Sequence, residues 1–212
     1  MLITGGHAFD TIQFFQLFDK MEGIEYEHFS QPAANREIVQ GTAEDFDVLV
    51  FYDMWNDISQ TEKASYINLT KEGKPFLFLH HSLASYQNWN LFEKLIGGKY
   101  IEKGVGVPED ELSTYEHDVW VYMIPVMNHP VTKGFGTIKL FDEIYGNTRV
   151  SDDVLPLFKS NHPKSSRIIA WENAFNLSKI IYLQPGHDYR SFESENYRKL
   201  LRQTILYLAK TN

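Results

Sequence analysis

The chain has 212 residues, 43% of them hydrophobic, and a formal net charge of −8. That length suffices for one domain spanning residues 1–212, the second half decorating the first with loop and strand insertions. The acidic balance, with no lysine or arginine stripe, argues against nucleic acid and anionic membranes; no apolar run is long enough to span a bilayer, and the absence of cysteine excludes thiol chemistry.

In chain order, Leu2 to Gly5 reads as a short strand and Phe9 to Met21 as a helix, with Phe14, Leu17, Phe18 and Met21 at helical spacing and Asp10 in its first turn. Ile24 to Phe29 alternates apolar and charged residues, as a strand near a sheet edge does. Asp47 to Tyr52 is a central strand that ends at Asp53. Ser59 to Lys71 is helical, with Ser59 and Glu62 at capping-box spacing. Pro75 to Leu79 is a second central strand, and Leu83 to Ile96 reads as a helix closed by Gly97-Gly98. Tyr100 to Pro125 is loop-rich, with a strand expected from His117 to Val126. Further strands are expected at Ile138–Tyr145, Val154–Phe158, Arg167–Glu172 and Lys179–Leu183, and a last helix from Phe192 to Ala209. The start of the chain leaves the compartment open between the cytoplasm and export after trimming of a signal.

Three of these strands run into histidine: Leu2-Ile-Thr-Gly-Gly-His7, Phe76-Leu-Phe-Leu-His80-His81, and Ile180 to Leu183 followed by Gln-Pro-Gly-His187. In a parallel α/β sheet the carboxyl ends of the strands share one edge, where ligands collect. One pocket lined by His7, His187 and one of His80 or His81 is therefore expected. Adjacent side chains point oppositely on extended backbone, so only one of His80 and His81 enters the cleft. Asp53 is the natural carboxylate there. Alternation puts Glu143 and Tyr145 on one face of their strand and Asp142 on the other. Trp55, Tyr86, Trp89 and Trp171 are candidate platforms for sugar rings, Trp89 and Tyr86 lying closest after the histidine turn. His28, His117 and His162 read as surface or packing residues.

The ordered blocks Thr4-Gly-Gly-His7, Val50-Phe-Tyr-Asp53-Met54, Phe78-Leu-His80-His81-Ser82, His129-Pro130, Asp142-Glu-Ile-Tyr145 and Gly186-His187 resemble the ThuA-like (trehalose-utilisation) family, a branch of the class I glutamine amidotransferase-like fold. The resemblance implies an α/β fold of flavodoxin-like, doubly wound type, with a predominantly parallel sheet and helices on both faces. It also places His80 where amidotransferases carry their nucleophilic cysteine and His187 where they carry a general-base histidine. With no cysteine in the chain, glutamine hydrolysis through a thioester is excluded.

What the resemblance implies is handling of a carbohydrate or oxidised sugar in disaccharide utilisation, with a small-molecule carbohydrate as ligand. His80 and His187 are the candidate proton-transfer groups and Asp53 the carboxylate that orients them. His7, His81, Glu143, Tyr145 and Trp89 are the candidate substrate contacts. No cofactor is singled out by the sequence, but His7, His80 and His187 together would suit zinc or another divalent metal with an open coordination position. Two rival readings are a noncatalytic carbohydrate-binding module and a metal-dependent hydrolase of a small polar substrate. Oligomeric state is left open.

Overall fold

A computed structural model describes residues 1–210. It is a mixed α/β fold around a nine-stranded sheet. The strands are β1 (Leu2–Gly5), β2 (His28–Ser30), β3 (Leu49–Asp53), β4 (Phe76–Leu79), β5 (Gly98–Lys99), β6 (Thr114–Pro125), β7 (Ile138–Gly146), β8 (Arg149–Val150), β9 (Leu155–Lys159), β10 (Ile168–Phe175) and β11 (Ser178–Leu183). The helices are α1 (Thr11–Asp19), α2 (Ala33–Gln40), α3 (Gln60–Lys71), α4 (Asn90–Ile96), α5 (Tyr189–Phe192) and α6 (Glu195–Ala209). Sheet order is β2-β1-β3-β4-β11-β10-β9-β6-β7, with β5 and β8 forming a separate ribbon.

The strands from β2 to β11 in that order are all parallel to their neighbours, whereas β10, β9, β6 and β7 continue the sheet antiparallel. The strands holding Leu2, Leu77 and Ile181, and the one just after Val48, are thus the expected parallel neighbours. Alternation along these strands divides the core in two. Leu2, Val50, Leu77 and Ile181 pack with Phe14, Leu17 and Phe18 of α1 and with Leu200, Leu201 and Leu208 of α6. Ile3, Phe51, Phe78 and Tyr182 face the other way, against Ile38 of α2, Tyr66 of α3 and Phe92 of α4.

Local chemistry accounts for the boundaries. Ser59 accepts a bond from the Glu62 amide while the Glu62 carboxylate accepts one from the Ser59 amide, a complete capping box on α3. Gly97 closes α4 in the left-handed conformation. Before α4 the sequence expectation needs correction. A 3₁₀ turn, His80–Ala84, follows β4, and Tyr86 (φ 50°) breaks the backbone, so helix begins only at Asn90. Tyr86 donates its amide to the Trp55 carbonyl and turns its hydroxyl onto Asn35, and these tertiary bonds override local helix propensity. The strand expected from Ile24 narrows to His28–Ser30 at the sheet edge, and α2 was not foreseen.

The pairings Gly5↔Asp53, Phe51↔Phe78 and Leu79↔Leu183 bring the ends of β1, β3, β4 and β11 to one edge of the sheet. The β6–β7 hairpin reaches that edge by a different route. Its register slips between Glu116 and Val119, where Asp118 has φ 60°, so His117 and Asp118 bulge out opposite Glu143. A bulge bends a strand and re-aims the side chains it displaces. The far part of the hairpin thereby turns Glu143 and Tyr145 toward His80, although β7 is the last strand in sheet order.

Candidate functional site

His80 leaves β4 with φ 47°, an uncommon backbone conformation for a residue with a side chain and one that recurs at strand-to-helix elbows presenting a reactive group. Its Nδ1 lies 2.7 Å from the carbonyl oxygen of Gln184. A carbonyl only accepts, so Nδ1 carries a proton and Nε2 is the free end. Around Nε2 stand the Glu143 carboxylate (Oε2, 3.0 Å), the Tyr145 hydroxyl (3.0 Å) and Nδ1 of His187 (3.2 Å). Glu143 also reaches Nδ1 of His187 at 3.4 Å and, through Oε1, Nδ1 of His117 at 3.2 Å.

Most of this cluster is enclosed. His80 is 1% exposed and Glu143 5% exposed, while His187 and His117 are the members partly exposed to solvent. Burial alone would lower the His80 pKa, but the hydrogen bond and charge of Glu143, with Asp142 behind it, raise it overall. Burial likewise pushes Glu143 upward, and the bond and charge of His80, then His187 and His117, bring it below its ordinary value. His187 is lowered by burial and by the neighbouring His80, against the opposing pull of Glu143 and Asp142. Tyr145, fully enclosed beside Glu143, keeps its proton far above the usual phenol range.

His187 is held from behind. Asp142, on the opposite face of β7 from Glu143, accepts bonds from the amides of Gly186 (2.8 Å) and His187 (3.0 Å) and from the Ser191 hydroxyl (2.7 Å). A Cβ at Gly186 would collide with the Tyr197 hydroxyl, so the turn needs glycine there. Tyr52 adds a further tie by donating to the Gly186 carbonyl at 2.8 Å.

His81 points away from this group; the 3₁₀ turn with positive φ at His80, not strand alternation, sets that direction. Its ring lies 4.3 Å from that of Tyr52 and 4.8 Å from that of His7, centroid to centroid. Burial, reinforced by His80 and His7, pushes it well below the ordinary histidine pKa, so the ring is neutral. Its Nε2 is buried with no hydrogen-bond partner. His7 is exposed at the rim, after Gly5 and Gly6, both with positive φ; a Cβ at Gly6 would strike the Met54 carbonyl.

Four expectations from sequence need correction. Asp53 orients no histidine: it is buried and accepts from Gln31 Nε2 (2.9 Å) and Ser82 Oγ (3.3 Å), inside a network with Asn35, Tyr66 and Tyr86. Burial drives its carboxyl up to about 7 despite those two donors. Glu143 takes the role expected of Asp53, because β7 folds back over the edge. Trp89 is 7% exposed and packs edge-on against Tyr66 and Tyr86, so it is core and no sugar platform; Tyr86 and Trp171 are buried likewise. The metal-type grouping is also different. Ligand atoms of His80, Glu143 and His187 all lie within 4.8 Å of one another among the described residues, whereas His7 stands with His81 instead. His117, read as a surface residue, joins the cluster through Glu143. The bulge that brings it there falls in the polar run Glu116-His117-Asp118, which precedes the apolar run Val119 to Ile124.

The comparisons agree with this architecture. Among curated proteins, none matches the chain. A ThuA-like protein of Parabacteroides merdae ATCC 43184 superposes with a TM-score of 0.78 at 14% identity, over 98% of this chain and 88% of that one. A ThuA-like protein of Bacteroides uniformis ATCC 8492 gives 0.72 at 18% identity, over 98% and 89%. The cytoplasmic protein STM1381 of Salmonella typhimurium LT2 gives 0.68 at 11% identity, over 98% of each chain. These likenesses show the fold. The sequence profile of the ThuA family, described as trehalose utilisation, matches residues 5–208, and the chain belongs to that family.

Proposed function

We propose that the protein is an enzyme acting on a carbohydrate or an oxidised sugar derivative at the carboxyl edge of the sheet. The observation that carries this reading is the surroundings of His80 Nε2, a ring nitrogen of fixed tautomer facing Glu143, Tyr145 and the partly exposed His187. Membership of a family described as trehalose utilisation supplies the substrate class. His80 and His187 are the reacting groups and Glu143 the carboxylate that orients them. The exposed ring of His7 suits the hydroxyl groups of a sugar. Helices lie against both faces of the sheet, α1 and α6 on one and α2, α3 and α4 on the other, which supports a flavodoxin-like doubly wound domain spanning the whole chain.

The test starts from a thermal-shift screen of disaccharides and their keto derivatives, followed by turnover of those that respond. His80→Asn is the informative variant. Asparagine tolerates positive φ, and its amide can still donate to the Gln184 carbonyl, so the turn is retained. Loss of an acid or base lowers a rate by ~10²–10⁴-fold, and we expect a fall in kcat/KM of that order. Wild-type turnover in a folded His80→Asn protein would overturn the assignment. A noncatalytic binding module would instead lose only the affinity of one hydrogen bond, about 0.5–1.5 kcal/mol, and show no turnover in either protein.

A further inference from the structure

Three polar atoms converge on His80 Nε2. That nitrogen has either one proton or one lone pair, yet His187 Nδ1, Glu143 Oε2 and Tyr145 Oη stand 3.2, 3.0 and 3.0 Å from it. One proton serves one of these contacts well. A cation placed among the donor atoms serves several at once.

The spacing suits such an ion. Zinc binds histidine nitrogen and carboxylate oxygen at about 2.0–2.2 Å, which sets the edge of a tetrahedron of ligands at roughly 3.3–3.5 Å. The three edges here, 3.4 Å from His187 to Glu143, 3.2 Å between the histidine nitrogens and 3.0 Å from His80 to Glu143, lie within or up to about 0.3 Å short of that range. The surrounding residues also fit. Metal-bound histidines commonly donate their other ring N–H to a carbonyl, as His80 does to Gln184 at 2.7 Å, and bound carboxylates are themselves hydrogen-bonded, as Glu143 is placed to be by His117 at 3.2 Å. Asp142 fixes the backbone of His187 without touching the three donor atoms.

We infer that His80 Nε2, His187 Nδ1 and Glu143 Oε2 bind one divalent transition-metal ion of the zinc class, leaving a coordination position open toward the surface. Two imidazole donors select such an ion over magnesium or calcium, which prefer oxygen. This rests on the carbohydrate reading of the same site and changes the part that His80 and His187 play in it: with Nε2 and Nδ1 on the ion they hold it, and the proton transfers assigned to them pass to a bound water. An ion there would polarise a sugar carbonyl or activate a water, and the Tyr145 hydroxyl, 3.0 Å from His80 Nε2, is placed to donate to the oxygen it binds.

The test uses the full chain without a histidine tag, stripped with chelator and titrated with Zn²⁺ and with Co²⁺. We expect one tightly held equivalent per chain and, for Co²⁺, a visible absorption band of low-coordinate geometry. Glu143→Gln, which keeps the shape of the side chain, should weaken binding by about 100-fold or more and abolish the band. His187→Ala, at a partly exposed position, should do the same without relying on a buried replacement. His117→Ala removes only a partner of Glu143 and should cost about 10–100-fold. Substoichiometric or weak binding by the wild type, or equal binding by Glu143→Gln and His187→Ala, would overturn the inference. The two readings fail separately. Full carbohydrate turnover by metal-free protein would remove the metal and keep the enzyme. Stoichiometric metal with no responsive carbohydrate would remove the substrate class and keep the metal.

Discussion

Two polar clusters hang from the turn that follows β4, and they are built on opposite principles. Ser82 serves the first, in which Asp53, Gln31, Asn35, Tyr66 and Tyr86 exchange hydrogen bonds of 2.8–3.3 Å in the buried interior. That group is closed except for Nδ2 of Asn35, which has no partner. His80 serves the second, where the imidazoles of His80 and His187, a carboxylate and a phenol crowd together, with His187 and His117 partly exposed to solvent. A polar network that satisfies its members rigidifies a core. The atoms of the other are partnered as well, but two ring nitrogens and a carboxylate oxygen converge there at the spacing of metal ligands. Strand-end polar residues give the same local signal in both cases; what separates scaffold from site is that Asp53 is enclosed by Gln31 and Ser82, whereas His80 and Glu143 reach the partly exposed His187 and His117.

The contrast can be strained first at Trp89, which packs the closed side against Tyr66 and Tyr86. Trp89→Ala should destabilise the fold by about 3–5 kcal/mol, the usual cost of removing a large buried aromatic, and leave carbohydrate affinity of the folded protein unchanged. Urea unfolding together with ligand titration checks both halves. A loss of affinity with little loss of stability would move Trp89 back into the site.

Asp53 gives the next largest effect, and its sign is fixed. Its folded pKa of about 7 lies above the ordinary 3.8, so the native state holds the proton more tightly than the unfolded chain. The stability this confers is fully present below the ordinary value and is lost as pH rises through about 7. Between about pH 5 and about pH 8 the loss is roughly two pH units at about 1.4 kcal/mol each, or about 3 kcal/mol. Asp53→Asn, neutral throughout, should escape that loss, so the difference in unfolding free energy between variant and wild type should move in favour of the variant by that amount over the same range. A constant difference would show that Asp53 is ionised in the fold at both ends of it.

At the rim the effects should be smallest. His7→Ala removes an exposed ring beside His81 and should weaken sugar binding by about 0.5–1.5 kcal/mol, tenfold or less, with no change in thermal stability. A loss of a hundredfold or more would place His7 among the reacting groups.

Much of the parallel half is legible in the sequence, because Leu2 to Gly5, Leu49 to Asp53, Phe76 to Leu79 and Ser178 to Leu183 are short apolar runs that end in polar residues. The same pattern marks His80 and His187 as edge residues. It cannot choose between Asp53 and Glu143 as the partner of His80, because that choice depends on the long β6–β7 hairpin folding back at a bulge. Trp89 and Tyr86 look like surface platforms only while Leu83 to Ile96 is read as one helix; the break at Tyr86 turns both rings into the core. His117 is hidden for the same reason as Glu143, since nothing near it in sequence specifies its partner.

The division of labour between the two clusters is tested most directly by measuring kcat/KM of His80→Asn and Asp53→Asn side by side on one responsive carbohydrate. We expect the first to fall by ~10²–10⁴-fold and the second to stay within about threefold of wild type, since Asp53 touches none of the reacting groups. Comparable losses in both, or a larger loss for Asp53→Asn, would contradict the assignment of the His80, Glu143 and His187 cluster as the working centre.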